Sequence, residues 1–198
     1  MILLFEGHAN AQIVTIGCSV TPPAPTNIPW IDGGCITLRL SGSGSTACYA
    51  EICFCKRTVS GTEQYSVKSI RPLSSLLCDG NTWPQMIDLA NDKLITHVLP
   101  ILNPCYQSAN PIVVATVTAS CWKVMNGNLD PNGAPSPMCV ICPGEAGWCI
   151  KTQSYCSNGN LIQTWLISES FTEGTCTAVP PNFNWVDNTC YVINPCNH

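Results

Sequence analysis

Fifteen cysteines in 198 residues constrain this chain more than any other feature. Cysteine at that density is rare where the cytosol keeps thiols reduced and common in exported proteins, where disulfides persist. The competing use of clustered cysteines is metal binding, which needs ligands at short, fixed spacings. Cys139 and Cys142 make one C-x-x-C, but no second C-x-x-C and no H-x-x-x-H stands at zinc spacing, and the only histidines are His8, His97 and His198. Cys53-Phe54-Cys55 has the wrong spacing for a zinc knuckle. The C-x-x-C sits among Pro135, Pro137 and Pro143, not at a strand-to-helix turn, which argues against a thioredoxin-like redox site. Disulfides are therefore expected, with no metal and no cofactor. The candidates for bridging are Cys35, Cys48, Cys53, Cys55, Cys78, Cys105, Cys121, Cys139, Cys142, Cys149, Cys156, Cys176, Cys190 and Cys196. Spacing alone does not pair them, and an odd total leaves either a buried thiol or a staple to another chain.

Composition narrows the class. Charged residues are 10% of the chain, against roughly 25% in an average soluble domain. No apolar run approaches the ~20 residues that cross a bilayer as a helix, so no membrane span is expected. A net charge of −4 with 8 Lys and Arg argues against nucleic acid, whose recognition rests on basic patches. The surface is expected to be uncharged and polar, and the protein extracellular.

The N-terminal stretch divides into three. Ala9-Asn10-Ala11 fits the small-x-small pattern before a signal-peptidase cut, so residues 1–11 read as a remnant of an export signal. Gln12–Val20 reads as a strand, with Val14, Ile16, Cys18 and Val20 on one face and Ile13 heading the other. Thr21–Pro29 holds four prolines, which favour extended polyproline geometry of about 3.1 Å per residue, a stiff tether of roughly 25 Å.

From Trp30 the pattern is that of a sheet with one helix. Cys35–Leu40, Ala47–Val59 and Glu63–Ile70 read as strands, the last two joined by a hairpin turn at Ser60-Gly61-Thr62. Thr82 caps a helix over 83–99, with Pro84 in its first turn, Gln85 completing a capping box and Met86, Ile87, Ala90, Leu94, Ile95 and Val98 forming one apolar stripe. Asp88 and Asp92 suit its N-terminal half. Ile112–Val124 reads as a single central strand. Residues 30–124 thus form a β-sheet domain with one helix laid on a face. Residues 125–198 read as a Cys-rich β-subdomain, with strands at Trp148–Tyr155, Asn160–Ser168, Thr175–Val179 and Cys190–Ile193. The fold class is mainly β (α+β): a disulfide-rich antiparallel sheet with one helix, then the stapled subdomain, preceded by an extended N-terminal strand.

No catalytic residue is singled out. There is no G-x-S-x-G elbow in a strand-turn-helix setting, no P-loop and no dinucleotide fingerprint. The carboxylates, among them Asp32, Glu51, Glu63 and Asp187, are scattered as solvated groups are. Trp148, Trp165 and Trp185 are the aromatic residues that a sugar-binding loop would present.

An amphipathic strand on a stiff tether ahead of a β-rich, disulfide-stapled body resembles pilus and fimbrial subunits that assemble by donor-strand exchange. The resemblance is one of organisation and covers Gln12–Pro29 and the body behind it. It implies a donor strand (Ile13, Val14, Ile16, Cys18, Val20), an acceptor groove on the next subunit, other copies of the chain as partners and a cell-surface setting. The many cysteines and the helix depart from that family. The expected function is a filament-forming structural subunit; the alternative is a monomeric secreted carbohydrate-binding or adhesive module, with surface glycans as partners.

Overall fold

The computed structural model describes residues 17–18, 28–73, 78, 80–99, 104–105, 111–129, 135–144, 147–158, 161–176, 178 and 186–193. Its elements are β1 (Ile31–Ser41), a 3-10 turn (Gly44–Thr46), β2 (Cys48–Val59), β3 (Thr62–Pro72), α1 (Trp83–Val98), β4 (Ile112–Ala119), β5 (Cys121–Leu129), β6 (Pro135–Ile141), β7 (Trp148–Asn158), β8 (Leu161–Thr172) and β9 (Tyr191–Val192). Over the described residues the molecule is mainly β, with α1 on the sheet, as the sequence predicts.

The nine strands share one sheet, and the sheet forks. β1, β2 and β3 form an antiparallel trunk. The β2–β3 turn places Ser60 at φ 50° and Gly61 at φ 81°, the left-handed pair that a two-residue hairpin turn requires. The far edge of β3 is then divided. Glu63–Tyr65 pair in parallel with Val114–Thr116 of β4, while Ser69 and Ile70 pair with Val140 and Cys139 of β6. One limb continues as β4-β7-β8 and the other as β6-β5-β9. The β3–β4 pairing makes the sheet mixed, not purely antiparallel.

The fork corrects the reading of Ile112–Val124 as one strand. The chain bends at Ser120, leaving β4 in one limb and β5 in the other. Ser120 is fully buried, and its polar groups are all engaged. Its N–H donates to the Gly147 carbonyl, its carbonyl accepts from Ile193 N–H and its hydroxyl donates to the Thr172 carbonyl. A bend at a buried position is tolerable only when the ladder bonds it interrupts are replaced in this way. The boundary expected after Val124 falls inside β5, and strands from both sides of it contribute to one sheet and one core.

The helix forms where local signals place it. Thr82 Oγ1 accepts from Gln85 N–H at 3.4 Å and Gln85 Oε1 accepts from Thr82 N–H at 2.8 Å. Its stripe of Met86, Ile87, Ala90, Leu94 and Ile95 is buried with Ile52, Val67, Ile70, Val114 and Trp122 from the sheet. Each large apolar side chain so buried contributes about 1.5–3 kcal/mol. The helix packs on β1, β3 and β4.

Disulfides tie segments outside the strands to the body, except Cys35–Cys53, which bridges register partners of β1 and β2. Bridges link Cys18–Cys55, Cys35–Cys53, Cys48–Cys78, Cys105–Cys156, Cys121–Cys176 and Cys142–Cys190. Cys149 is bridged as well. Two assignments differ from expectation. Cys18, placed in the donor strand, is bridged, and Cys139, placed among the bridge candidates, is a buried free thiol. Cys139 lies on β6 with its side chain in the main core, and burial pushes its thiol pKa well up.

Candidate functional site

The N-terminal arm meets the body on β2. Cys18 is bonded to Cys55, which is fully buried. Ten residues later the chain is fastened again: Arg57 Nη1 donates to the Ile28 carbonyl at 3.2 Å, and the guanidinium stacks 4.2 Å over the Trp30 ring. Cys55 and Arg57 are alternate residues of one strand, hence about 7 Å apart on one face. Cys18 is therefore not held away from its own domain by the proline-rich tether. Ile13, Val14, Ile16 and Val20 lie outside the described residues.

Arg57 itself is 4% exposed, and its Nε donates to Gln64 Oε1 at 2.9 Å. Its Nη2 and the nearby Trp30 Nε1 are buried without hydrogen-bond partners. Burial lowers the pKa of the guanidinium. It borders a cavity of about 170 Å³ with Ile31, Lys56, Thr58, Glu63 and Tyr65.

The two flanks of the sheet differ. β1 carries Asp32 and Arg39, and its register is broken twice, between Asp32 and Gly34 and between Arg39 and Ser41. Charge and bulges are the ordinary protections of an edge strand. Among the described strands β8 pairs with β7 alone, and it has a single charged residue, Glu169, in 12. Every described side chain from Ile162 to Thr172 is exposed. Trp165 is 46% exposed, Leu166 54% and Ile167 52%. Trp165 pairs with Ser154 and Leu166 with Gln153, so these neighbours project from opposite faces, and Ile167 is the extra residue of a bulge. This edge thus exposes apolar surface on both faces at once.

A second feature lies where α1 passes the β4–β7 limb. A cleft of about 230 Å³ is lined by Asp88, Asn91 and Asp92 from the helix, Thr116 and Thr118 from β4, and Lys151 and Gln153 from β7. Helix–sheet contacts are normally apolar, and this polar cleft lies beside the apolar stripe of α1, which is buried with Val114 of β4 as well as with β3. Asn91 is 7% exposed; its Nδ2 donates to the Ile87 carbonyl at 2.9 Å, and its Oδ1 is buried without a partner. An unmet buried acceptor costs about 1–3 kcal/mol. Gln153 Oε1 accepts from Tyr155 Oη at 3.0 Å, which fixes the amide with its nitrogen available to donate. Burial, and then the Asp92 carboxylate, push the Tyr155 pKa up to about 12.

The remaining candidates are engaged in structure. Asp32 pairs with Lys68, Glu51 with Arg71, Glu63 accepts from Tyr65, and Asp187 accepts from Tyr191. His97 is exposed in the last turn of α1. Trp148 is half-buried, Trp165 lies on the β8 edge, and Trp185 is outside the described residues. Among the described residues no three His, Cys, Asp or Glu side chains gather as metal ligands, and no helix is long and apolar enough to cross a membrane. Sequence reasoning assigned Asp88 and Asp92 to the helix dipole and missed the cleft. Its one signal was Asn91, a polar residue between Ala90 and Asp92 on the flank of the apolar stripe.

Comparison with family models, with curated proteins and with solved structures finds no match. The disulfide framework, together with the lack of a membrane-spanning helix among the described residues, fits an extracellular protein.

Proposed function

We propose that this protein is an extracellular structural subunit that links to copies of itself by strand addition, with the outer edge of β8 as acceptor. The observation that carries this reading is the two-faced apolar exposure of Trp165 and Leu166 on an edge that pairs with no other described strand. A partner stacked on one face of the sheet would leave the other face wet. A strand added alongside β8 bonds to main-chain groups on its outer edge near Trp165 and Leu166 and places cross-strand neighbours on both faces. The donor is the segment ahead of the Cys18 bridge, Ile13, Val14 and Ile16, offered by the next copy. Donor and acceptor are then different surfaces of one chain, and such a contact repeats without closing into a filament.

Negative-stain microscopy and light scattering of the oxidised protein test this. Filaments are expected from the native chain. They are expected to vanish on deleting residues 12–16 with Cys18 kept, and again in Leu166→Lys, with the disulfide map unchanged in both. A native protein that stays monomeric, or filaments that survive both changes, would overturn the reading.

A further inference from the structure

We propose that the cleft between α1 and the β4–β7 limb binds a small neutral polyol, one sugar residue in size, through its hydroxyl groups. The inference stands on the lining chemistry of the cleft and does not depend on strand addition. A sugar hydroxyl both donates and accepts, so its site needs both kinds of partner converging on one space. Asp88, Asp92 and the unmet Oδ1 of Asn91 supply acceptors. Lys151 Nζ and the amide nitrogen of Gln153, turned outward by the Tyr155 bond to its oxygen, supply donors.

Charge selects against the other small ligands. The two carboxylates of α1 repel an anion, and among the described residues no third His, Cys, Asp or Glu joins them to complete a metal site. The volume of about 230 Å³ lies below the roughly 300–1,000 Å³ of common ligand pockets, which limits the occupant to about one ring. The walls are rigid. Asn91 is held by the Ile87 carbonyl within a capped helix, and Thr116 and Thr118, both nearly buried, stand at alternate positions of a strand paired on both sides. A site whose groups are already in place loses little entropy on binding.

Saturation-transfer NMR with a panel of methyl glycosides at millimolar concentration tests the assignment, with sodium acetate and calcium chloride as the contrasting probes. At least one glycoside is expected to bind, with amide shifts centred on Thr116, Thr118 and Gln153. Affinity is expected to fall about tenfold or more in Gln153→Leu. Lys151→Met provides a second variant should Gln153→Leu fail to give the native disulfide map. Binding of no glycoside, shifts centred elsewhere, full affinity in both variants, or a response to acetate or calcium alone would each overturn the proposal.

Discussion

Lys68 Nζ meets Asp32 Oδ1 at 2.9 Å, and the two residues reach each other across β2 from bulges on either side of it. The β1 ladder slips between Asp32 and Gly34, opposite Cys55 and Phe54, and the β3 ladder slips past Lys68, opposite Cys53 and Phe54. Two irregularities centred on one stretch of β2 thus aim two side chains at each other. The Lys68 side chain is 6% exposed and that of Asp32 is 61% exposed. The Asp32 pKa is lowered first by the Gly34 N–H and then by Lys68.

Since the folded carboxyl sits below its unfolded value of about 3.9, its contribution is present above that pH and is lost as pH falls through the folded value. Asp32→Asn is therefore expected to flatten the acid limb of the stability curve. It is also expected to lower the melting temperature at neutral pH, because it leaves Lys68 buried without its charge partner. Thermal melts of both proteins from pH 2 to neutral check this; superimposable acid limbs would refute it.

Gly33, in the same bulge, is closed to any side chain. A Cβ there would lie 2.2 Å from Phe54 Cε2, and the Phe54 ring is part of the core. Gly33→Ala is expected to destabilise by about 1–3 kcal/mol, the usual cost of overpacking. Phe54→Leu, which removes the clashing ring edge, is expected to make Gly33→Ala less costly in the double variant. Denaturant titration of the four proteins measures the coupling.

Cys139 is expected to resist alkylation in the native oxidised protein and to react on unfolding without reductant. Full burial denies the reagent access, and the raised pKa holds the sulfur as an unreactive thiol. Peptide mapping after maleimide labelling in and out of denaturant locates the modified residue. Native labelling at Cys139 would be incompatible with its place in the core.

Tyr155, with its pKa pushed up to about 12, sets an alkaline limit. An unfolded tyrosine titrates near 10, so between those values the unfolded chain loses its proton first. The contribution of Tyr155 is present below about 10 and is lost as pH rises through about 12. A shift of two units corresponds to about 2–3 kcal/mol. Tyr155→Phe is expected to reduce the alkaline slope, read from denaturant midpoints across that range. Tyr65, raised by burial and by Glu63, and Tyr191, raised by its hydrogen bond to Asp187, act in the same direction.

Much of the fold was legible because it is written locally. The helix needs only Thr82, Pro84, Gln85 and a stripe repeating every three to four residues, and it appears over Trp83–Val98. The β2–β3 hairpin needs Ser60-Gly61. The split at Ser120 was not legible. Ile112–Val124 has an unbroken strand pattern, and only partners distant in sequence, at Gly147, Thr172 and Ile193, bend it. The pairing Cys18–Cys55 and the isolation of Cys139 were hidden for the same reason: a sulfur finds its partner by where the backbone brings it.

Taken alone, the sequence determined that this chain is a disulfide-stapled β protein with one capped helix. Those properties follow from side-chain periodicity and cysteine content, which act within a few residues. The tertiary structure alone decided which strands became edges, that β8 exposes apolar groups on both faces, and that Asp88, Asn91 and Asp92 stand opposite Lys151 across a cleft. Those facts depend on pairings between residues tens of positions apart, and such pairings are set by the packing of the whole core.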